Sequence, residues 1–305
     1  MVTLKAILTI ALVQCGAWAL LHQGGAQERR AAPPKPRRLL FIGVSSAPRH
    51  RGRRDEIRQS WMKIPSLKNW PAEYMQVKFV VGETRPGKQT ERLEEEQALY
   101  GDILRLPVAE GYEQLPKKSV AFLRWFALNG SAKYVMKVDD DTFPDLWKIE
   151  VILRAKLLHG KNFVYGGGML MHNRVLHVGK WAQSLDAYDQ EFYPPYASGP
   201  AYVLGADLAK LLFDTHFALH SQRPLLQNED ANLGVWVERE NRTTRVDYTH
   251  LKHEQDGCRK GVVLAMNLIP GTMTCMYERV LWDDGSICCG GAIGSWQERN
   301  LDTTA

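Results

Sequence analysis

Apolar runs and polar stretches follow one another along most of this chain, and their order predicts its main elements. The run Leu39–Val44 is short, apolar and rich in branched residues, which is typical of a buried strand. Further runs of this kind predict strands at 75–82, 102–106, 132–138 and 163–166. Polar or amphipathic stretches predict helices at 53–62, 90–100, 115–128 and 145–158. Strands that alternate with helices indicate an α/β fold with a mostly parallel central sheet flanked by helices.

The amino-terminal residues depart from this alternation. An uncharged, mostly apolar run covers residues 6–21 and leads towards the Pro- and Arg-rich residues 31–38. The run is shorter than the roughly 20 residues that cross a typical bilayer, although thinner secretory membranes need fewer. A cleaved signal peptide is the alternative, because Ala17-Trp18-Ala19 resembles a cleavage site. We expect a signal anchor or transmembrane segment at 1–22, a short basic stem at 23–38, one globular domain at 39–290 and a tail at 291–305.

Composition and charge exclude several classes of protein. The 305 residues are 45% hydrophobic, which is enough to bury a substantial core, so the chain is neither disordered nor fibrous. The net charge of +5 is concentrated between Arg29 and Arg58, where Lys and Arg outnumber the acidic residues. Because the rest of the chain has no basic excess, we expect no nucleic-acid partner.

The cysteines indicate an oxidising compartment. Cys15 lies in the apolar run, and the other four cysteines are Cys258, Cys275, Cys288 and Cys289. A bond between the neighbours Cys288 and Cys289 would be strained, so we expect each to pair with Cys258 or Cys275 in a disulfide-bearing C-terminal tail. A zinc site is the alternative, but the chain has no C-x-x-C spacing.

Three adjacent carboxylates, Asp139, Asp140 and Asp141, follow the predicted strand at 132–138. In open alternating sheets, ligands bind at the carboxyl ends of the strands. Adjacent carboxylates repel one another unless a cation neutralises them, and their hard oxygens suit Mn²⁺ or Mg²⁺ that also holds phosphate oxygens. The triplet therefore predicts a metal that stabilises a departing diphosphate.

Two other readings of the triplet are possible. Asp141 or Thr142 could cap the following helix, with Asp145 in its first turn, but a cap explains one acidic residue rather than three. A phosphatase with an Asp nucleophile would need Thr or Val at the position of Phe143.

A second acidic pair, Glu229 and Asp230, lies at the predicted start of a short helix. A carboxylate at this point could take the proton from an attacking hydroxyl, and an inverting displacement needs one such base. Acidic residues at a helix start are also ordinary stabilisers of the first turn. The pattern alone leaves both interpretations open.

Four blocks of sequence carry a resemblance to a known family. They are FIGVSS at 41–46 with RR, IR and SW at 53–54, 57–58 and 60–61; YVMKVDDDTF at 134–143; GKW, YPPY and GP at 179–181, 193–196 and 199–200; and NED at 228–230 with Gly234. On these blocks the chain resembles the β-1,3-galactosyltransferase family, inverting enzymes with the A-type glycosyltransferase fold. The tail around Cys258 and Cys288 looks most like the catalytic domain of plant hydroxyproline O-galactosyltransferases.

The resemblance implies roles for individual residues. Asp141 would bind the metal directly, Asp139 would bind both metal and nucleotide, and Asp230 would be the catalytic base. Further donor-binding residues would be Asp140, Arg54, Arg58, Lys180 and Trp181.

Some of these roles have alternatives. Arg54 and Arg58 would shape the donor pocket, or else lie on the solvated face of a basic helix. Trp181 would stack on a sugar through its flat apolar face, or else belong to the core. Met266 stands where the family has a His that looks like a metal ligand, and a thioether is a poor ligand for Mn²⁺ or Mg²⁺. His250 or His253 could serve in its place.

The resemblance also implies a reaction and a location. We expect galactose or a related sugar to pass from a UDP-sugar to a glycan or a hydroxyproline-containing glycoprotein, in a single-pass type II protein of the Golgi membrane. The alternative is a catalytically silent chaperone or sugar-binding protein of the secretory pathway, for which Met266 is the motivating feature.

Overall fold

The structure of this protein, a computed structural model, describes residues 38–217, 225–247 and 263–282. Its strands are β1 (Arg38–Ser45), β2 (Met75–Glu83), β3 (Ile103–Ala109), β4 (Ala132–Asp139), β5 (Phe143–Pro144), β6 (Val164–Leu170), β7 (Tyr196–Gly205), β8 (Thr244–Asp247) and β9 (Leu264–Ala265). Its helices are α1 (Arg51–Gln59), α2 (Ile64–Leu67), α3 (Lys88–Tyr100), α4 (Leu115–Asn129), α5 (Leu146–Arg154), α6 (Ala206–Leu212), α7 (Glu229–Glu238) and α8 (Thr272–Trp282).

In the part of the chain that the structure describes, seven strands form the central sheet in the order β3-β2-β1-β4-β7-β6-β8. Strands β3, β2, β1 and β4 are parallel, β7 runs antiparallel between β4 and β6, and β8 is parallel to β6. The predicted α/β fold with a mostly parallel sheet is therefore confirmed. One edge of the sheet, called the carboxyl edge below, collects the ends of β1 to β4 and β6 and the start of β7.

Helices cover both faces of the sheet because the buried strands are apolar on both sides. In β1, Leu40, Ile42 and Val44 belong to one core cluster, which also takes residues from α1, α2, α5 and α8. Phe41 belongs to the other cluster, with residues from α4, α6 and α7. Gly43 lets α4 approach closely, since a Cβ atom there would collide with the Phe122 ring. Such close packing rigidifies the strands whose ends carry the site.

One predicted helix is shorter in the structure than the sequence indicates. The helix predicted at 145–158 ends at Arg154, and a 3₁₀ turn, Lys156–Leu158, follows it. Asp145 is its N-cap and accepts a hydrogen bond from the backbone N–H of Lys148 at 3.2 Å. The cap that we considered for Asp141 or Thr142 is therefore supplied by Asp145, and β5 separates the triplet from the helix.

Some predictions fall outside the described residues. They concern the anchor and stem, the tail, His250, His253 and the cysteines Cys15, Cys258, Cys288 and Cys289, and they stay predictions. Within the ranges that the structure describes, no helix has the length and hydropathy needed to cross a membrane.

Candidate active site

The three aspartates at the end of β4 have different surroundings. Asp140 is only 5% exposed, and its carboxylate accepts hydrogen bonds from Ser46 Oγ at 2.8 Å and Arg53 Nη1 at 2.9 Å. His50 Nδ1 lies 2.7 Å from the same carboxylate. The side chains of Asp139 and Asp141 are partly exposed. Asp140 therefore joins the segment after β1 to the end of β4. Its carboxylate oxygens, for which we predicted direct contact with a nucleotide, already accept hydrogen bonds from other side chains of the protein.

The pKa values of the triplet follow these surroundings. Burial raises the pKa of Asp139 to about 7, against the opposing charge of Lys137. Burial also raises the pKa of Asp141, against the charge of Arg53. Asp140 differs, because His50, Arg53 and Ser46 outweigh its burial and lower its pKa. Burial thus disfavours the charged forms of Asp139 and Asp141 more than the neighbouring cations favour them.

Lys137, in the middle of an apolar strand, connects three elements of the site. Its buried Nζ lies 2.7 Å from Asp139 Oδ1 and 3.5 Å from Glu229 Oε2, and it donates to the carbonyl of Gly199 at 2.6 Å. The Tyr202 hydroxyl donates to Glu229 at 2.5 Å. The ends of β4, β7 and α7 therefore meet at this ammonium group. We missed Lys137 in the sequence, although a charged residue inside the apolar run 134–138 signals a buried carboxylate partner.

Asp230 lies in the first turn of α7 and faces the start of β7. Its Oδ2 accepts the backbone N–H of Gly199 at 2.8 Å, and its Oδ1 accepts the N–H of Ala231 at 2.9 Å. A Cβ atom at Gly199 would lie 3.1 Å from Oδ2, so only glycine allows this approach without a shift. Burial, followed by the charge of Glu229, raises the pKa of Asp230 to about 6. The structure brings together Lys137, Asp139, Glu229 and Asp230, called the acidic pocket below.

Arg54 and Arg58 do not line the acidic pocket. Arg54 is fully buried, and its guanidinium donates to both carboxylate oxygens of Glu96 at 2.8 and 2.6 Å and to the carbonyl of Ala47 at 2.6 Å. Arg58 donates to both oxygens of Asp102 at 2.9 and 2.8 Å and to Glu96 at 2.7 Å. These four side chains are called the arginine network below.

The arginine network decides between the two readings of its arginines. Arg54 is fully buried and therefore does not lie on a solvated face, and its guanidinium is engaged by Glu96 and by backbone carbonyls. Its guanidinium donates to the carbonyl of Ala47 and, at 3.2 Å, to that of Pro48, and both carbonyls belong to the backbone between β1 and α1. Arg58 also packs over the Tyr100 ring at 3.9 Å. Arg54 therefore supports the segment that carries Ser46, a partner of Asp140, and Arg58 is connected to that segment through their shared partner Glu96.

An aromatic pair stands beside the acidic pocket. Tyr112, in the 3₁₀ turn Tyr112–Gln114 after β3, is 51% exposed, and Trp181 is 39% exposed, so Trp181 is not a core residue. Their ring centroids lie 5.9 Å apart. Lys180 Nζ lies 4.7 Å from the centre of the Tyr112 ring and 4.6 Å from that of Trp181. Burial, then the charges of Asp230 and Asp139, raise the pKa of Tyr112 to about 12.

The donor atoms of the site suit a divalent cation that is shared with a phosphate group. Within the described ranges, no three Asp, Glu, His or Cys side chains converge as a full ligand set. Mg²⁺ sites commonly use one or two carboxylates and complete the shell with phosphate oxygens and water. Asp141 and Asp139, whose side chains are partly exposed at the end of β4, can supply such hard oxygens.

Met266 belongs to the same neighbourhood as Asp141. It follows β9, whose Ala265 pairs with Phe143 of β5. Two residues further on, the backbone N–H of Leu268 donates to the carbonyl of Asp141 at 2.9 Å. The segment that carries Met266 therefore runs beside the last aspartate of the triplet.

Comparison with known proteins gives three findings. A family model described as Galactosyltransferase matches residues 52–251. Hydroxyproline O-galactosyltransferase GALT5 of Arabidopsis thaliana is 36% identical over 252 residues, which are 82% of this chain and 36% of that protein. Beta-1,3-galactosyltransferase 6 of Mus musculus is 33% identical over 266 residues, which are 85% of this chain and 78% of that protein. The chain thus spans about a third of the length of the plant relative that it matches.

Among solved structures, the chain is similar to a glycosyltransferase involved in the glycosylation of the major capsid of PBCV-1. The TM-score is 0.37 at 10% sequence identity, with 80% of this chain and 99% of the other covered.

Proposed function

The chain belongs to the galactosyltransferase family, and we propose that it is an inverting hexosyltransferase that moves galactose or a related sugar from a UDP-sugar to an acceptor hydroxyl. Its class as a glycosyltransferase follows from the family, whereas the donor, the base and the acceptor are parts of the proposal. One observation carries it: Gly199 holds the carboxylate of Asp230 at the carboxyl edge, in the same pocket as Asp139.

Asp230 is the proposed general base. The acceptor hydroxyl transfers its proton to the Asp230 carboxylate while its oxygen bonds to the anomeric carbon of the donor sugar. The bond from that carbon to the diphosphate oxygen breaks on the opposite face, so the configuration inverts and the diphosphate leaves with the electron pair. A carboxylate with a pKa of about 6 is ionised at neutral pH and still accepts a proton readily.

Asp139 and Asp141 are the proposed ligands of Mn²⁺ or Mg²⁺, which supplies positive charge to the departing diphosphate when bound. The ammonium of Lys137 holds the carboxylate of Asp139 in place. The guanidinium of Arg53, 3.7 Å from Asp141, adds a second positive charge at this end of β4. Asp140 positions the segment around these groups through Ser46 and His50.

The acceptor and the location are also proposals. The relatives are named as a hydroxyproline O-galactosyltransferase and a β-1,3-galactosyltransferase, so both a hydroxyproline-containing glycoprotein and a glycan are candidate acceptors. The apolar run at 6–21 supports a single-pass type II protein of the Golgi membrane.

The test is sugar transfer by the purified full chain over a panel of UDP-sugars, with Mn²⁺ and with a chelator. We expect turnover of one donor, UDP-galactose or a related sugar, and its loss in the chelator. Turnover that persists in the chelator would contradict the metal assignment. A folded chain that transfers no sugar would contradict the proposal and favour the catalytically silent chaperone or sugar-binding protein.

A further inference from the structure

Tyr112 and Trp181 come from distant parts of the chain and meet at the carboxyl edge. Tyr112 follows β3, and Trp181 lies in the long connection from β6 to β7. Their rings are inclined at 50° and remain substantially exposed, although aromatic side chains of this size are usually more buried. Two exposed rings that pack on each other beside an acidic pocket form a preassembled apolar platform.

We propose that Tyr112 and Trp181 form the acceptor subsite, and that a hexopyranose ring of a glycan packs on their exposed surfaces with its reactive hydroxyl directed to Asp230. This inference rests on the proposed function, because it assigns the acceptor of the same reaction. It also gives the GKW motif at 179–181 a specific use and adds Tyr112, which the sequence blocks did not include.

Position favours the acceptor over the donor as the occupant. Two residues after Trp181, Gln183 Oε1 accepts the backbone N–H of Gln227 at 2.9 Å, and Gln227 lies just before the helix α7 that carries Asp230. The loop that carries Trp181 is therefore anchored beside the start of the helix that carries the proposed base. A base must reach the acceptor hydroxyl within hydrogen-bond distance, so the rest of the acceptor lies close to that base.

The polar border of the platform favours a sugar over a proline-rich peptide. Sugar rings present an apolar face of C–H groups, which an aromatic ring covers, and hydroxyls around the edge. Lys180, whose ammonium lies over both rings, and the Tyr112 hydroxyl supply hydrogen-bonding groups beside the platform. Prolyl rings also pack on aromatic residues, but they offer few partners for such groups.

The experiment measures the KM values of acceptor and donor in Trp181→Ala and Tyr112→Phe, with methyl β-galactoside and an oligohydroxyproline peptide as alternative acceptors. We expect Trp181→Ala to raise the KM for methyl β-galactoside about tenfold, and Tyr112→Phe to raise it a few-fold, at a constant donor KM. Val178→Ala, on the same connection and 81% exposed, and Tyr100→Phe, which removes another tyrosine hydroxyl, are the matched controls.

Three results would overturn the assignment. An unchanged KM for methyl β-galactoside in both variants would remove the platform from acceptor binding. A rise confined to the peptide would assign the platform to the polypeptide, and a rise in donor KM would assign it to the nucleotide sugar.

A binding measurement separates this inference from the proposed function. Titration of methyl β-galactoside against the intrinsic fluorescence of the full chain should give a saturable change that Trp181→Ala abolishes. If the chain turns over no donor, that change would support the platform while the proposed function fails. The absence of any change in the parent chain would overturn the platform.

Discussion

The arginine network and the acidic pocket both bury charged side chains, but they differ in how the charges are balanced. In the arginine network, Arg54 and Arg58 face Glu96 and Asp102 through paired hydrogen bonds of 2.6–2.9 Å. In the acidic pocket, three carboxylates share the single ammonium of Lys137. Among the residues that the structure describes, the arginine network pairs two cations with two carboxylates, whereas the acidic pocket has one cation for three carboxylates.

This difference indicates which of the two clusters can interact with a ligand. A balanced buried network is costly to break but offers nothing to a ligand, because every strong donor and acceptor already has a partner. Carboxylates with raised pKa values favour any proton, cation or hydroxyl donor that reaches them. Substitutions in the network should therefore change stability, and substitutions in the pocket should change activity.

The largest effect should come from Asp230→Asn. An amide cannot accept the acceptor proton, so we expect kcat to fall about a thousandfold, within the usual range for loss of a general base. The KM for the donor should stay close to that of the parent chain, and so should the unfolding midpoint. Steady-state kinetics on the preferred UDP-sugar measures this, and retention of full activity would remove Asp230 from the role of base. Glu238→Gln, at the far end of the same helix, is the control.

The corresponding test of the arginine network is Arg54→Ala. It removes five donated hydrogen bonds and leaves Glu96 buried with Arg58 as its remaining arginine partner. We expect the free energy of unfolding to fall by about 3–5 kcal/mol, measured by urea denaturation. Arg105→Ala, which breaks the exposed pair with Glu94, should leave the urea midpoint unchanged. Equal effects of the two variants would contradict a structural role for the network.

A smaller loss should follow Gly199→Ala. The added Cβ atom would lie 3.1 Å from Asp230 Oδ2 and must displace the carboxylate by a few tenths of an ångström. We expect kcat to fall about tenfold, because the position of a base matters on this scale. The control is Gly52→Ala in α1, where a Cβ atom would have no neighbour within 4 Å. Activity equal to that of the control would mean that Gly199 does not position the base.

The sequence predicts most of the fold and the location of the site. Alternating apolar runs predict the parallel strands, and a strand that ends in three aspartates predicts a site at the carboxyl edge. The resemblance on four blocks is confirmed by the family match. These features could be predicted because they depend on local periodicity and on adjacent residues.

Partners that are distant in the sequence account for what could not be predicted. The helix at 90–100 reads as exposed and acidic, yet Glu96 is 1% exposed because Arg54 and Arg58 surround it. Tyr112 has no periodic signal, and its meaning depends on Trp181, far along the chain. Periodicity reports which face of an element is buried, but it does not identify the charge or ring on the opposing element.

The pH dependence of activity tests the coupling between the carboxylates of Asp230 and Glu229. Asp230 acts as a base only when it is deprotonated, so kcat/KM should rise as the pH rises through about 6 and then level off. Glu229 raises the pKa of Asp230, so Glu229→Gln should move the midpoint of this rise to lower pH by a fraction of a unit. Glu238→Gln should leave the midpoint in place. A profile that Glu229→Gln does not shift would contradict coupling between the two carboxylates.

The smallest effect should come from Met266→His, which adds a nitrogen ligand beside Asp141. If the segment after β9 faces the metal that Asp141 and Asp139 are proposed to hold, the imidazole should lower the Mn²⁺ concentration for half-maximal activity a few-fold. Asn267→His places the same group one position further on and is the matched control. A change in the Met266 variant alone would place position 266 beside the metal. Equal Mn²⁺ dependence in both variants and the parent would separate Met266 from the metal.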